Sequence, residues 1–375
     1  MVYYGVKKGH NMRIIEETQL DFSDLLISPK RSTLNSRSEV SLLRTFNWTG
    51  LDGKTTNTLE CIPIMASNMA TTGTPEMARI LTKRGFMCCL EKHIPIQEIC
   101  DLYLELERDG VQSEKSNPLE YTQRLVPSIG IKESLDGFKQ LAKEHKVTCV
   151  CVDVPNGYIP NFMTRVKDVV KLFPNALVFA GNVVTGDICQ DLVFNHALIP
   201  KCGIGPGSCC MTRAKTGVGR PQASTLIECA DECHQVGGFC LCDGGCTTPG
   251  DIVKAFGCGA DFVMLGGMFA GVEEAAGETV EIDGKKFKQF YGMSSNLAQE
   301  KHFGGIRSYS TTEGREVLIP VTGTLNEALD DIEGGIKSAM CYIGARQLKN
   351  IPKNCTFYKV HNQLNTKFAE CKHIR

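Results

Sequence analysis

A cysteine in a glycine-rich loop is the residue of this chain best suited to do chemistry. Cys210 ends the run Gly203–Cys210, in which three glycines and a proline remove side chains and bend the backbone. Main-chain groups of such a loop can contact an anion or a cation, and a thiol is the best nucleophile near neutral pH. The adjacent Cys209 is a rival nucleophile. Because the chain has 19 cysteines, a buried apolar role is the alternative for either thiol.

Two further glycine pairs come directly after apolar runs. They are Gly244-Gly245, which follow Asp243, and Gly266-Gly267. The amides of such turns can face a phosphate group, although ordinary turn chemistry explains the glycines equally well. A dinucleotide fingerprint is not expected, because the first glycine-rich loop lacks the acidic residue that should follow about twenty positions later.

Composition excludes several classes of protein. With 375 residues, the chain can form one large domain or two ordinary ones. The net charge of −1 creates no field that would attract nucleic acid or anionic lipid. No apolar run has membrane-spanning length, and Met1–Glu17 lacks the apolar core of a signal peptide. We therefore expect a cytoplasmic protein without nucleic-acid or membrane partners.

The cysteines are expected to be reduced thiols, because a long chain without an export signal suggests a reducing compartment. Structural zinc sites commonly contain Cys-x-x-Cys pairs, and this sequence has none. Cys229 and Cys233 are four residues apart on a predicted helix, and Cys240 and Cys242 alternate on a predicted strand. This spacing argues against a zinc site.

Short apolar runs alternate with amphipathic segments from residue 60 onward, and this alternation predicts the fold. The alternation favours an α/β protein with a parallel (β/α)8 barrel, and a doubly wound open sheet is the alternative. The predicted strands are Ile62–Met69, Phe86–Leu90, Leu125–Ile129, Val147–Val154, Ala176–Ala180, Ile199–Ile204, Gly238–Cys242 and Asp261–Leu265. The predicted helices include Pro75–Arg84, Ile131–Glu144, Asn161–Leu172, Ser224–Val236, Pro249–Phe256 and Leu325–Ala345.

A long excursion, residues 271–323, separates the eighth strand from the last helix. Val280–Ile282 and Phe287–Tyr291 predict a hairpin that turns at Asp283-Gly284. The rest, Gly292 to Pro320, is rich in glycine, serine and threonine and is expected to be a mobile lid over the catalytic face. We expect residues 1–375 to form a single barrel domain.

Several long motifs in chain order resemble the IMP dehydrogenase/GMP reductase family, from about Met12 to Val360. A series of ordered motifs is far more specific than any one of them. The strongest are Gly203–Arg213, Lys215–Gly219 with Pro221-Gln222, Asp243–Asp251, Ala260–Gly267 and Tyr291–Ser295.

Within this family, the sequence resembles the reductases more closely than the dehydrogenases. Dehydrogenases usually carry a regulatory domain after the second strand, but only Ile94 to Gln123 separate the second and third strands here, too few for a domain. Dehydrogenases also use an adjacent Arg-Tyr pair, whereas Ser308 separates Arg307 from Tyr309 in this chain. Segments that resemble the reductase versions are Pro29–Leu34, Asp153–Tyr158 and Ala180–Gly186.

The resemblance implies a reaction of purine nucleotide salvage, the NADPH-dependent reductive deamination of GMP to IMP and ammonia. It implies that Cys210 attacks purine carbon 2 and holds the base as a covalent thioimidate, which NADPH then reduces. An amine leaves readily only when protonated, and the resemblance gives that task to Glu313 with Thr212 as proton relay. IMP dehydrogenase, which converts IMP to XMP with NAD, and a non-catalytic nucleotide-binding barrel are the alternatives.

The resemblance also implies the binding residues, with Asp243 accepting hydrogen bonds from the ribose. The implied GMP site contains Ser208, Asp243, Gly244, Gly245, Gly266, Gly267, Gly292, Met293, Ser294 and Gly314. The implied NADPH site contains Lys92, Asp153, Val154, Pro155, Met293 and Tyr309. An adjacent subunit of a homotetramer would add Ser36, Arg37 and the start of the last helix, and Ser338 and Cys341 are further implied contacts of NADPH.

The carbonyls of Gly205, Gly207 and Cys210 resemble the family's monovalent-cation site, and a requirement for potassium is left open.

The sequence departs from the family pattern at several positions. Cys209 stands where the family usually has valine or isoleucine, and Ser310 stands where the reductases have arginine. Without that arginine, the lid lacks one group that could hold the substrate or cofactor near Ser310. The proposed acid, Glu313, is still present. Residues 1–11 precede Met12-Arg13-Ile14, which resembles the usual start of the family, so they are expected to be either an N-terminal extension or the product of an upstream start. Other departures are Ala70, Met211 and Arg220.

Overall fold

A computed structural model describes residues 14–113, 119–296, 298, 300 and 313–361 of the chain. Eight parallel strands, numbered one to eight in chain order, form its central sheet. They are Ile64–Ala66, Met87–Cys89, Leu125–Val126 continued by Ser128–Ile129, Cys149–Asp153, Leu177–Val183, Ile199–Cys202, Leu241–Asp243 and Phe262–Leu265.

The sheet closes on itself. Pro127, which has no N–H group to donate, divides strand three into two pieces. The first piece pairs with strand two and the second with strand four. Strand eight pairs with strand one through Val263 and Ile64. Every strand therefore has a neighbour on both sides, so the predicted barrel is confirmed and the open sheet is wrong.

One helix follows each barrel strand and packs against its outer side. Threonine caps begin several of these helices: the hydroxyls of Thr74, Thr248 and Thr324 accept backbone hydrogen bonds from the first turn. The helix predicted over Ile131–Glu144 begins only at Asp136. The eight helices are Pro75–Lys83, Ile96–Gln112, Asp136–Glu144, Pro160–Leu172, Gly186–Phe194, Gln222–Gln235, Pro249–Gly257 and Leu325–Ile343.

An N-terminal hairpin, which the sequence analysis did not predict, closes one end of the barrel. Its antiparallel strands are Arg44–Thr49 and Thr56–Cys61. Phe46 stacks on Phe262 of strand eight with ring centroids 4.3 Å apart, and Trp48 is buried with it. Apolar side chains fill the barrel interior above this hairpin. A ligand can therefore reach only the opposite, C-terminal face.

The ends of the described chain meet outside the barrel, where Leu25–Ile27 pairs antiparallel with Phe357–Lys359. Short helical segments complete the described elements: Phe22–Asp24, Arg37–Glu39, Thr122–Arg124, Thr212–Thr216, Gly267–Phe269, Leu348–Asn350 and Ile351–Asn354. Among the residues that the structure describes, no helix combines the length and apolar character needed to cross a membrane.

The excursion after strand eight contains the predicted hairpin, Thr279–Ile282 with Lys285–Tyr291. Asp283 and Gly284 have φ angles of 51° and 73°, as a tight hairpin turn requires. The structure differs from the expected mobile lid at one end of Gly292 to Pro320, where the chain forms a strand. Glu316–Pro320 forms a third strand against Lys285–Tyr291, because its alternating apolar side chains pack on the hairpin. Residues 301–312 lie outside the described residues.

Candidate functional site

Cys209 and Cys210 lie in different surroundings, although they are neighbours in sequence. Both follow strand six in the glycine-rich loop. Cys210 is half-buried, and its N–H donates to the Gly207 carbonyl over 2.9 Å. Cys209 packs against Ala270 and Phe290, and burial raises the pKa of its thiol to about 11. Cys209 is therefore a small core residue, and Cys210 is the thiol that a ligand on this face can reach.

A continuous hydrogen-bond path joins Cys210 to a carboxylate more than a hundred residues away. The Cys210 thiol donates to Thr212 Oγ1 over 3.1 Å, and the Thr212 hydroxyl donates to Glu313 Oε2 over 2.6 Å. These three residues are the predicted catalytic set, and the structure brings them together. The arrangement provides a route for a proton between sulfur and carboxylate in two short transfers.

Backbone pairing holds Glu313 beside the cysteine loop. The Met211 N–H donates to the Glu313 carbonyl over 2.6 Å, and the Arg315 N–H donates to the Cys209 carbonyl over 2.9 Å. Gly314 thereby sits opposite Cys210 in a short antiparallel bridge. A Cβ at Gly314 would lie 2.7 Å from the Ser295 nitrogen, so only glycine fits there. The excursion thus delivers the acid through main-chain contacts.

A buried lysine on strand six lies beneath the site, and the sequence analysis missed it. Lys201 is 3% exposed, and its ammonium donates to Asp153 over 3.0 Å and to Asp243 over 2.6 Å. It also donates to the Asn182 amide oxygen over 2.8 Å, and Asn182 in turn donates to Asp243 over 2.6 Å. The Lys201 ammonium therefore joins Asp153, a predicted contact of NADPH, to Asp243, a predicted contact of GMP.

Lys201 and Asp153 each favour the charged form of the other. Burial alone would lower the pKa of Lys201, but Asp153 and Asp243 outweigh it and raise the pKa well above its ordinary value. Burial would raise the pKa of Asp153, but Lys201 and Lys92 hold it below 3.8. A lysine inside an apolar strand was the available signal, because a buried ammonium needs carboxylate partners.

Loops after strands six, seven and eight meet where phosphate binding was predicted. Gly244 and Gly245 have φ angles of 84° and 88°, which side chains rarely adopt. A Cβ at Gly244 would lie 3.2 Å from the Gly207 nitrogen, and one at Gly267 would lie 2.6 Å from the Ser208 hydroxyl. The three loops therefore approach one another closely at positions where glycine has no side chain.

The remaining predicted GMP-site residues surround the same junction. A Cβ added at Gly266 would lie 3.1 Å from Ser67 Oγ and 3.1 Å from Met69 Sδ, so Gly266 packs closely against both residues. Gly292 contacts Gly314, and the Ser295 N–H donates to the Gly292 carbonyl over 2.9 Å, which forms a turn around Met293 and Ser294.

Part of the predicted cofactor site lies beside the Lys201 cluster. Lys92, after strand two, is near enough to Asp153 to stabilise its charge. Val154 and Pro155 follow Asp153, and the Val154 N–H donates to the Gly181 carbonyl over 2.8 Å. Met293 Sδ accepts from the Ala70 N–H over 3.4 Å, on the same face. Tyr309 lies outside the described residues.

The other predicted cofactor residues form a separate patch. Ser338 and Cys341 lie in the last two turns of Leu325–Ile343. At 1.5 Å per residue, Ser338 is about 20 Å along the helix from the catalytic face. Ser36 and Arg37 are exposed, on the segment whose Lys30 N–H donates to the Tyr342 carbonyl over 2.9 Å.

The predicted cation ligands lie in the Cys210 loop. Gly205, with a φ of 89°, packs against the Arg213 side chain, and the Gly207 carbonyl accepts the Cys210 N–H. A carbonyl oxygen has a second lone pair, so this bond leaves the Gly207 oxygen able to bind a hard cation.

The fold is a closed (β/α)8 barrel, and hydrogen bonds join a thiol, a hydroxyl and a carboxylate on its C-terminal face. This is the layout of an enzyme active site. A family model described as the IMP dehydrogenase / GMP reductase domain matches residues 19–367, so the chain belongs to this family.

Curated relatives cover nearly the whole chain. GMP reductase 2 of Homo sapiens is 45% identical over 361 residues, which are 95% of this chain and 99% of the relative. GMP reductase of Vibrio campbellii is 42% identical, covering 96% of this chain and 100% of the relative. GMP reductase of Phytophthora infestans is 44% identical, covering 95% of each.

The buried position of Lys201 generates a test of the charge cluster. Lys201→Met would leave two partly buried carboxylates without their cation, so we expect the free energy of unfolding to fall by about 3 kcal/mol or more. Lys139→Met removes an exposed pair with Asp136 and should lower the free energy of unfolding far less, because exposed ion pairs contribute little. Urea unfolding measures both changes. Equal, small losses for the two variants would contradict the structural role of Lys201.

Proposed function

We propose that this chain catalyses the NADPH-dependent reductive deamination of GMP to IMP and ammonia, in the salvage and interconversion of purine nucleotides. The observation that carries the proposal is the hydrogen-bond path from Cys210 through Thr212 to Glu313. Similarity over nearly the whole chain to proteins named GMP reductase supports the same substrate. A non-catalytic nucleotide-binding barrel would not need this thiol, hydroxyl and carboxylate together.

Cys210 is the proposed nucleophile. Its sulfur forms a bond to purine carbon 2, and the bond from that carbon to the amino group breaks, which releases ammonia. The base is then held on Cys210 as a thioimidate, whose carbon 2 is electrophilic. After carbon 2 accepts a hydride, the carbon–sulfur bond breaks, the electron pair returns to sulfur, and IMP leaves.

The path to Glu313 accounts for the proton in this step. The Cys210 thiol must lose a proton to attack, and the departing amine must gain one. Thr212 can pass the thiol proton to Glu313, and Glu313 can deliver it to the amine. The deamination half of the reaction then needs no net proton from solvent.

The loops after strands six to eight are proposed to hold GMP. The amides of Gly244, Gly245, Gly266 and Gly267 suit a phosphate dianion, with Ser208, Gly292, Met293, Ser294 and Gly314 completing the site. Asp243 accepts Lys201 and Asn182 on one carboxylate oxygen, Oδ2. Its other oxygen can then accept from the ribose hydroxyls.

The nicotinamide cofactor is proposed to be NADPH, which supplies the hydride. Lys92, Asp153, Val154, Pro155, Met293 and Tyr309 are the proposed contacts near the reacting carbon. The fixed charges of Lys92, Asp153 and Lys201 provide a polar, preorganised wall for this ligand. The exposed Arg37 suits the 2′-phosphate of NADPH better than the hydroxyl of NADH. Potassium at Gly205, Gly207 and Cys210 remains part of the proposal.

The position of the second cofactor patch supports a shared site in a homotetramer. Ser338 and Cys341 lie far along the last helix from the catalytic face of their own chain, and Ser36 and Arg37 lie on the N-terminal segment that contacts this helix. We therefore propose that these four residues contact a cofactor bound to a neighbour. The 18 described cysteines are free thiols, which supports a reducing compartment such as the cytoplasm.

A direct assay tests the proposed reaction. Purified protein is given GMP with NADPH, or IMP with NAD, and the absorbance of the reduced nicotinamide is followed. We expect absorbance to fall with GMP and NADPH while ammonia appears in equal amount. Formation of NADH with XMP would instead identify an IMP dehydrogenase, and nucleotide binding without turnover would indicate a non-catalytic barrel.

The two adjacent cysteines should respond differently to substitution. Cys210→Ala removes the nucleophile and should abolish turnover while GMP still binds. Cys209→Val keeps the apolar contacts with Ala270 and Phe290 and should remain active. Steady-state rates and calorimetric GMP binding measure both variants. Loss of turnover in Cys209→Val together with activity in Cys210→Ala would reverse the assignment.

Glu313 should matter more for deamination than for hydride transfer. A positioned acid contributes about a hundredfold or more to proton transfer, so Glu313→Gln should slow ammonia release by at least that factor. Hydride transfer from IMP to NADP⁺ requires mainly geometry and should change much less. Rapid-quench measurement of each half-reaction separates the two effects.

Glu281→Gln provides the matched control, because Glu281 is an exposed carboxylate on the outer strand of the same excursion. It should leave both half-reactions unchanged. Equal losses in the two half-reactions of Glu313→Gln would mean that Glu313 only positions the lid or the substrate.

A further inference from the structure

Glu91 is a buried acid that the proposed reaction does not use. It follows strand two, beside the predicted cofactor contact Lys92, and it is only 4% exposed. Its backbone N–H donates to the Gly73 carbonyl over 2.8 Å, which anchors it to the loop after strand one. That loop, residues 67–74, contains no charged residue. Carboxyl groups are rarely buried unless another group compensates for the lost contact with water.

The alternation of strand two directs the Glu91 side chain toward the inside of the barrel. Met87 and Cys89 pack in the barrel interior, whereas Cys88 and Leu90 pack on the outer side of the strand. The Leu90 N–H still donates to strand three over 2.9 Å, so the course of the strand continues to Glu91. Because side chains alternate along a strand, Glu91 faces the same side as Cys89.

Glu91 therefore belongs to the layer of side chains that forms the floor of the site. Cys151 on strand four packs in the barrel interior two residues before Asp153, as Cys89 does two residues before Glu91. Asp153 is near enough to Glu91 to disfavour its charge. Glu91 lies on the side of the floor that carries Asp153 and Lys92, where the cofactor is proposed to bind.

The two oxygens of the Glu91 carboxyl group have different surroundings. Oε2 accepts from the His93 backbone N–H over 3.0 Å, which fixes the orientation of the group. Oε1 is buried and has no hydrogen-bond partner among the described residues. His93 Nε2 lies 3.8 Å from Oε1, beyond hydrogen-bond distance. A bound ligand can supply the missing hydrogen bond to this oxygen.

The surroundings of Glu91 favour its uncharged form. Burial raises the pKa of its carboxyl group to about 7, and Asp153 and Glu133 add to this effect. The hydrogen bond from His93 and the charge of Lys92 act in the opposite direction. Near neutral pH, a large share of Glu91 is therefore protonated. Since Oε2 accepts the His93 N–H, the proton belongs on Oε1, which can then donate.

We propose that Glu91 binds the carboxamide of the nicotinamide ring as a neutral acid, with its Oε1–H donating to the carboxamide oxygen. This inference rests on the proposed use of NADPH. The carboxamide is the polar substituent of the ring, and Lys92 and Asp153 are the cofactor contacts proposed near the reacting carbon. An ionised carboxylate has no proton to donate to a carbonyl oxygen.

Ionisation of Glu91 changes the relative affinity for the two forms of the cofactor. Below the pKa of Glu91, the neutral carboxyl group donates to the carboxamide of NADPH and of NADP⁺ alike. Above it, this bond is lost for both forms, but the carboxylate attracts the positively charged ring of NADP⁺ and not the neutral ring of NADPH. The ratio of the Kd of NADPH to that of NADP⁺ should therefore rise with pH. Titration of the shared 2′-phosphate acts on both forms and cancels in this ratio.

Cofactor binding at about pH 6 and about pH 8 tests the proposal. No purine nucleotide is added, so that no reaction occurs. Nicotinamide fluorescence measures the Kd of NADPH, and competition measures that of NADP⁺. In the wild-type protein we expect the ratio of the two Kd values to rise about fivefold or more between these pH values.

Two matched variants isolate the acid. Glu91→Gln keeps a donor for the carboxamide and an acceptor for the His93 N–H, but it cannot ionise, so its ratio should change by less than about twofold. Glu98→Gln alters an exposed carboxylate on the helix after strand two and should keep the wild-type rise. Glu91→Leu removes the hydrogen bond altogether and should weaken NADPH binding about fivefold at about pH 6.

Histidine titrates in the same pH range, and the variants separate its effect from that of Glu91. A rise that persists in Glu91→Gln would assign the titration to another group, such as His93, and would overturn the proposal. A ratio that does not change with pH in the wild-type protein would overturn it as well.

Infrared difference spectroscopy of the wild-type protein replaces Glu91→Gln if that variant does not fold. At about pH 6, NADPH should shift a carboxylic-acid C=O band that is absent at about pH 8. Absence of this shift would contradict the role of Glu91. Failure of the wild-type protein to bind either form of the cofactor would contradict the proposed function, and this inference with it.

Discussion

The candidate site depends on one set of main-chain contacts, the pairing of residues 313–315 with residues 209–211. The barrel fixes the cysteine loop at the end of strand six, but the carboxylate comes from a part of the chain that leaves the barrel. Two hydrogen bonds, from the Met211 N–H and the Arg315 N–H, bring the two segments together. Because these contacts involve the backbone, they tolerate side-chain changes nearby, such as Cys209. They place Glu313 within 2.6 Å of the Thr212 hydroxyl.

The barrel supplies the second requirement, which is a fixed charge pattern beneath the ligands. Strands four, five, six and seven end next to one another and present Asp153, Asn182, Lys201 and Asp243 at one level. A buried ammonium between two carboxylates holds both side chains in place, and it helps to keep the pKa of Asp153 below its ordinary value. The N-terminal hairpin fills the opposite end of the barrel, so binding and chemistry are confined to the face that carries this cluster.

Much of this architecture could be predicted from the sequence, because it rests on local patterns. Alternating apolar runs located all eight strands, and the Asp283-Gly284 turn located the hairpin of the excursion. Features built from distant segments were missed. Lys201 has partners on three other strands. The N-terminal hairpin that contains Phe46 is recognised only from its packing against the barrel. The strand Glu316–Pro320 forms only because the hairpin of the excursion offers it an edge. The contact between Glu313 and Thr212 followed from the resemblance and could not be derived from spacing.

Mass spectrometry of the trapped protein shows whether Cys210 carries the purine covalently. The protein is mixed with IMP and NADP⁺ in ammonia-free buffer, so that the thioimidate forms and cannot be converted to GMP, and the mixture is denatured and digested. We expect a nucleotide adduct on the peptide that contains both cysteines, with fragment ions assigning it to Cys210 and none on Cys209. Formation of NADPH without any protein-bound nucleotide, or with an adduct on another residue, would contradict it.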